Sequence, residues 1–166
     1  NDKRHGSFRT YNESGQLTEK KNYKNGQKNG IFKFYFSSLS GTRYLKNLEN
    51  YKDGKKNGSF KFYRINKNDT GSNLERLENY KDDKKDGAFK YYDSRGYSDQ
   101  KKTLSIVKEE FYKNGEKTGT WKEYDYDWHS LTGYTQELIA TETFYKGPID
   151  GPFKKFKDNN LLCMQL

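Results

Sequence analysis

Aromatic residues alternate with polar ones in short bursts along this chain: Phe32-Lys33-Phe34-Tyr35-Phe36, Phe60-Lys61-Phe62-Tyr63 and Ala88-Phe89-Lys90-Tyr91-Tyr92. Aromatic-rich runs of this length, bounded by Gly and Asn, predict strands. Each burst is followed by a second strand-like stretch, from Leu45 to Tyr51, Leu74 to Tyr80, Leu104 to Tyr112 and Leu138 to Tyr145. Turn-rich segments separate the two: Glu13 to Gln16, Ser37 to Gly41, Asn66 to Asn73, Asp93 to Gly96 and His129 to Gly133. Two strands and a turn make a β-hairpin, and the chain predicts a series of them.

What joins one hairpin to the next is a recurring phrase. Tyr51-Lys52-Asp53-Gly54-Lys55-Lys56-Asn57-Gly58 runs straight into Phe60 and Tyr63, and the same phrase returns at Tyr23, Tyr80 and Tyr112, with an altered form at Tyr145. Three markers keep register: glycines 6, 30, 58, 87, 119 and 151; then Phe8, Phe32, Phe60, Phe89, Trp121 and Phe153; then Tyr11, Tyr35, Tyr63, Tyr92, Tyr124 and Phe156. An internal repeat decides the architecture. The Asn-Gly and Asp-Gly pairs of the phrase supply the positive φ that tight turns need. The expected fold is all-β: an elongated, twisted antiparallel sheet of about six tandem hairpins. Residues 1–166 form one repeat array, with units near 1–23, 24–51, 52–80, 81–112, 113–145 and 146–166. Unit lengths differ in the loop between the two arms, so longer loops are expected along one rim.

Alternation assigns side chains to faces. Phe60 and Phe62 share one face, and Lys61 and Tyr63 the other. Stacked units should therefore align a tyrosine row, Tyr35, Tyr63, Tyr92 and Tyr124, beside a lysine row, Lys33, Lys61, Lys90 and Lys122. These eight residues are the candidate partner-binding surface, although rows of this kind also serve simply to hold a thin sheet together. Glu49, Glu78 and Glu110 each stand two residues before a tyrosine and form a carboxylate row; cross-strand pairing with the lysines is the expected arrangement.

Composition changes this picture in two ways. Only 30% of residues are hydrophobic and 33% are charged, a balance typical of disorder, but aromatics reach 17% and only two residues are Pro. The chain is therefore expected to fold around a thin aromatic core. The net charge of +9 suits acidic protein surfaces, anionic lipid or nucleic acid, or reflects lysine used as a general solubilising residue. One cysteine, Cys163, excludes an intrachain disulfide framework. No apolar run approaches the length that spans a bilayer as a helix.

Catalytic chemistry finds little footing. Two histidines and one thiol leave a nucleophile pair to chance proximity. No metal-ligand spacing and no phosphate-cradling loop appears. The strongest local candidate is Asp125, Asp127 and His129, which a strand would place on one side; a solvated polar edge with Tyr126 and Trp128 packed behind it is the preferred account. No catalytic, cofactor or metal site is assigned, and no cofactor is expected.

The pattern Y-K-x-G-x-K-x-G-x-[FW]-x-x-[YF] resembles the bacterial variant of the MORN repeat over residues 1 to 160. Departures are Asp83 in place of Gly, the Gly147-Pro148 insertion and the long inter-arm loops. The resemblance implies a hairpin array with a non-catalytic interaction role. Many such arrays resemble a family of antitoxins (the YwqK-like group), and others sit in bacterial surface proteins; eukaryotic relatives dock to membranes and scaffold proteins. The expected partner is a protein with an acidic surface, with anionic membrane docking or a surface scaffold or adhesion role as alternatives and nucleic acid behind them. Location stays open between cytoplasm and bacterial cell surface. Because Asn1 to Gly6 aligns with the middle of a phrase, a further hairpin arm upstream is expected; Leu161 to Leu166 is expected to form a last strand.

Overall fold

In the computed structural model, residues 3–38, 41–65, 71–93, 105–129, 133–144, 153–157 and 160–165 are described. Every element among them is a β-strand. The chain divides into two compact units, Asn1–Lys84 and Lys85–Leu166. The first contains β1 (Gly6–Tyr11), β2 (Leu17–Lys24), β3 (Gln27–Lys28), β4 (Gly30–Ser37), β5 (Arg43–Lys52), β6 (Lys55–Lys56), β7 (Gly58–Ile65) and β8 (Ser72–Lys81). A two-residue strand, β9 (Lys84–Lys85), spans the boundary. The second unit holds β10 (Gly87–Asp93), β11 (Ser105–Lys113), β12 (Glu116–Lys117), β13 (Gly119–His129), β14 (Gly133–Phe144), β15 (Phe153–Lys157) and β16 (Asn160–Gln165).

The expected hairpins are present as antiparallel pairs: β1/β2, β4/β5 and β7/β8 in the first unit, and β10/β11, β13/β14 and β15/β16 in the second. Within the first unit, hairpins also pair with their successors, β2 with β4 and β5 with β7. In the second, β11 pairs with β13 and β14 with β15. The arms run further than the sequence pattern indicates, for example Gly30–Ser37 around Phe32 to Phe36. The Gly147-Pro148 departure lies outside the described residues.

The connecting phrase folds as a two-residue hairpin turn. Asn25 and Gly26 have φ of 51° and 83°, Asp53 and Gly54 of 48° and 86°, and Asn114 and Gly115 of 52° and 93°. Two successive positive φ values define the turn whose twist matches that of flanking strands. Asp83 keeps the geometry without glycine, at φ 67°, and its carboxylate accepts a 2.8 Å bond from the Lys56 amide. Asp is among the few side chains that tolerate this region. Turns also bond to the preceding phrase: the Gly26 amide donates to the Arg4 carbonyl, Gly54 to Lys28, Asp83 to Lys56 and Gly115 to Lys85.

One feature of every hairpin is not predicted by simple alternation. The register slips by one residue in the second arm just as the first arm reaches its second aromatic position, at Tyr11, Tyr35, Tyr63, Tyr92, Tyr124 and Phe156. The slip is a β-bulge, an extra residue on one strand that reverses the alternation beyond it. Leu45 and Leu48 therefore share a face, as do Leu74 and Leu77, despite their spacing of three.

Aromatic packing supplies the core. Phe32, Phe60 and Phe89 are 0%, 1% and 1% exposed, and Trp121 is 7% exposed. These first aromatics do not stack on one another directly. The phrase tyrosines stand between them, giving an edge-to-face ladder Phe8–Tyr23–Phe32–Tyr51–Phe60–Tyr80 with centroids 4.9 to 5.5 Å apart. Phe89–Tyr112–Trp121 repeats it in the second unit at 5.0 and 5.2 Å. Such pairs add about 0.5–1.5 kcal/mol each beyond area burial. The second lysine of each phrase lies over the rings: Lys28 Nζ is 4.3 Å from the Tyr51 centroid, Lys56 Nζ 4.6 Å from Tyr80 and Lys85 Nζ 4.3 Å from Tyr112. Lys and aromatic positions in the phrase thus serve a single cation–π lattice.

Candidate protein-binding face

The register fixes which residues share the face opposite the ladder. In the first unit Arg9 stands across from Lys20, Lys20 across from Lys33, Lys33 across from Leu48, Leu48 across from Lys61 and Lys61 across from Leu77. A second row runs beside it: Tyr11 opposite Leu17, Tyr35 opposite Leu45 and Tyr63 opposite Leu74. The predicted Lys33, Lys61, Tyr35 and Tyr63 are thus brought onto one face. Arg9 and Lys20 join them. The sequence pattern could have yielded Arg9, which holds the same place after its glycine as Lys33 and Lys61, whereas Lys20 needs the inter-hairpin register.

This face carries cations without acids at its paired positions. Among the described residues of the first unit the ion pairs are Lys21–Glu19, Arg64–Glu75 and Arg76–Glu78, and none of these involves Arg9, Lys20, Lys33 or Lys61. Like charges directly opposite each other in a sheet destabilise it. Three successive cations on one row therefore cost stability in the free protein, a cost that a bound anion would remove. Arg43 at the end of the face lies 4.8 Å from the Tyr35 ring centroid.

In the second unit the equivalent row carries an acid between its two lysines. Lys90 Nζ is 2.8 Å from Glu109, and Glu109 in turn stands opposite Lys122. Tyr92 pairs across from Ile106 and Tyr124 from Leu138, so the tyrosine row keeps its form there.

The carboxylate row corrects the pairing expected from sequence. Glu49 and Glu78 stand opposite Phe32 and Phe60 on the ladder face, away from Lys33 and Lys61. Their partners are the tyrosines two residues on: Tyr51 Oη donates to Glu49 and Tyr80 Oη to Glu78, both at 2.8 Å. Glu110, 6% exposed, accepts from Tyr112 at 3.2 Å and Tyr91 at 3.4 Å and pairs with Lys108 at 2.9 Å. A register in which the aromatic, and not the lysine, opposes the glutamate explains the difference.

Several groups hold their protons more tightly than usual. Tyr51 is raised by burial and by the Glu49 bond, and Tyr63 by burial. Lys90 and Lys108 are raised by hydrogen bonds to Glu109 and Glu110, against the opposing effect of burial. Ordinary values are 10.0 for tyrosine and 10.5 for lysine. Above about pH 10 the folded state therefore retains protons that the unfolded state releases. This contribution is fully present below that pH and is lost as pH rises through the raised values. Urea midpoints are expected to stay level from about pH 7 to 9 and to fall above pH 10; a midpoint unchanged at pH 11 would contradict the assignment.

Asp125, Asp127 and His129 do lie on one strand, β13. Asp125 is exposed, while the side chains of Asp127 and His129 lie outside the described residues. No group of three potential metal ligands forms among the described residues. An open cavity of about 190 Å³ in the second unit is lined by Lys108, Lys117, Trp121, Glu123 and Glu142, among others. Three lysines, with Lys122 the third, face two glutamates there, and Lys108 is already held by Glu110.

No protein-family model, no curated protein and no solved structure matches the chain.

Proposed function

We propose that this chain is a non-catalytic interaction module of the MORN-variant type, holding the acidic surface of a protein partner on the lysine–tyrosine face. The observation that carries the reading is the Arg9–Lys20–Lys33 row, continued by Lys61, with no acid at the paired positions of that face. Beside the cations, the Tyr11, Tyr35 and Tyr63 row with its leucines offers an apolar strip, so charge would steer encounter and rings would supply contact area. An antitoxin or immunity role is the form the MORN-variant resemblance gives this reading, the partner then being a toxin with an acidic patch.

Anionic lipid is the competing reading. Exposed Lys24, Lys52, Lys55 and Lys81 at the strand ends favour it, but Lys28 and Lys56 in the same turns are drawn over aromatic rings.

A charge-reversal comparison tests the choice. Lys20→Glu, Lys33→Glu and Lys61→Glu combined should weaken binding of poly-L-glutamate at least tenfold in calorimetric titration. Lys24→Glu, Lys52→Glu and Lys55→Glu, an identical change in net charge, should alter it less than twofold. Equal losses would reduce the effect to net charge and defeat the proposal. Sedimentation with anionic vesicles that responds to the turn set alone would transfer the function to lipid.

A further inference from the structure

Two hairpins build the same small cluster beside the ladder. In β7/β8, Arg76 stands opposite Phe62, lays its guanidinium carbon 4.2 Å from that ring centroid and forms an ion pair with Glu78, two residues on, at 2.8 Å. In β10/β11, Lys108 stands opposite Tyr91 and pairs with Glu110 at 2.9 Å. The tyrosine two residues further along, Tyr80 or Tyr112, adds its hydroxyl to the same carboxylate. Cation, carboxylate and phenol follow one another at a spacing of two, so the strand presents all three on one face.

The hairpin β13/β14 keeps the carboxylate and replaces both of its partners. Glu142, opposite Trp121, holds the place of Glu78 and Glu110, which stand opposite Phe60 and Phe89. Ala140, opposite Glu123, holds the place of Arg76 and Lys108, and Phe144, opposite Gly119, that of the tyrosines. Alanine brings no charge and phenylalanine no hydroxyl. Glu123 in turn stands where Phe62 and Tyr91 stand, so a ring has given way to a second acid. Among the described residues no cation or hydroxyl is bonded to Glu142 or Glu123. Where the long side chain is missing lies the open cavity of about 190 Å³, lined by Trp121, Glu123, Ala140 and Glu142. Of its three lysines, Lys108 gives its ammonium to Glu110 and Lys122 stands opposite Glu109. Lys117 lies 4.3 Å from the Trp121 ring centroid, which leaves it facing two carboxylates.

We infer that this cavity binds a guanidinium carried on a short aliphatic chain, seated as the Arg76 side chain is seated in its own hairpin. Glu123 and Glu142 are diagonal neighbours across the strand pair, about 7–8 Å apart, a gap that a planar fork of donors bridges with one carboxylate on each side. The methylenes cover Ala140 and pack against the Trp121 ring. An ammonium, with no planar fork, is the poorer occupant. The site lies in the second unit, so it stands or falls separately from the poly-glutamate test, which turns on Lys20, Lys33 and Lys61.

The full chain carrying Trp128→Phe, which leaves Trp121 as its one indole, is titrated with n-propylguanidine, the arginine side chain without its backbone, and followed by fluorescence and amide NMR. Saturable quenching is expected, with shifts concentrated on Trp121–Glu123 and Ala140–Glu142. Neutral n-propylurea, or Glu142→Gln in the protein, should weaken binding at least tenfold, and n-butylamine should bind less tightly. Ala140→Arg supplies the missing side chain from within: it should abolish binding and raise the urea midpoint, and adding Glu142→Gln should cancel that rise, a pattern that loss of folding cannot imitate. A blocked Gly-Arg-Gly tripeptide separates two sources of the same group. Tighter binding than n-propylguanidine supports the site as a seat for a partner's arginine, and weaker binding supports it as a seat for a small free guanidine. No saturable binding at millimolar n-propylguanidine, equal binding of n-propylurea, or indifference to Glu142→Gln would overturn the proposal. So would binding that appears only in Lys155→Ala, since Lys155 stands opposite Ala140 in β15 and would then be the cation that fills the place.

Discussion

Replacing Phe60 with Ala is expected to destabilise the first unit by about 3–5 kcal/mol, the range for removing a large aromatic from a packed interior. Phe60 is 1% exposed and sits between Tyr51 and Tyr80 at 5.5 and 5.1 Å. A sheet that draws its core from one row of rings has little else to close over the gap. The Lys56 ammonium, 5.3 Å from the Phe60 centroid, also loses one of its two ring faces. Phe60→Leu, which keeps apolar volume without ring geometry, should cost less than Phe60→Ala. Urea denaturation gives the magnitude, and hydrogen exchange should show protection falling first across β5, β7 and β8. A loss below about 1 kcal/mol would mean that the ladder is not the main source of cohesion.

Glu110→Ala should cost about 2–3 kcal/mol, in line with hydrogen bonds to charged groups at a desolvated site. The carboxylate is the one buried charged group found among the described residues. It gathers the hydroxyls of Tyr91 and Tyr112 and the Lys108 ammonium within 2.9 to 3.4 Å. Glu110→Gln retains the shape and loses the charge, so about half the cost is expected there. Both variants should bring Lys108 back toward its ordinary titration and so shrink the stability loss above pH 10. Equal stability of wild type and Glu110→Ala would show that tyrosine hydroxyls and lysine find water as good a partner as the carboxylate. Surface ion pairs such as Arg64–Glu75 give a contrast; removing one should cost at most about 1 kcal/mol.

The cationic row and the aromatic ladder have opposite energetic signs. Rings on one face are buried, paired and capped by lysines, so each contact stabilises the sheet. Cations on the other face of the first unit oppose one another. Glu109 in the second unit shows that this fold accommodates an acid at the same register position. The first unit places Lys20, Leu48 and Leu77 there instead. That difference between two copies of one pattern is why the proposed binding face is placed in the first unit.

Much of the fold is legible in the residues themselves. Glycine, aromatic and tyrosine markers recur in register, and Asn-Gly and Asp-Gly pairs require positive φ, so hairpins and their tight connections follow from local backbone preference. Alternation within the first arm is equally local, which is why Phe60 with Phe62, and Lys61 with Tyr63, fall on the faces expected. The partners of those residues are not local. A one-residue bulge in each second arm, marked by leucines three apart only at Leu45/Leu48 and Leu74/Leu77, decides which side chains face which way beyond it. Register within each hairpin then decides that Glu49 opposes Phe32 and Arg9 opposes Lys20, and register between hairpins that Lys20 opposes Lys33 and that phrase tyrosines meet the next first aromatic in the ladder. Sequence by itself determines the repeating hairpin and its turns, because these depend on neighbours along the chain. Tertiary structure alone decides the charge on each face, because a slip of one residue in a strand exchanges the faces, and only pairing between strands sets where the slip occurs.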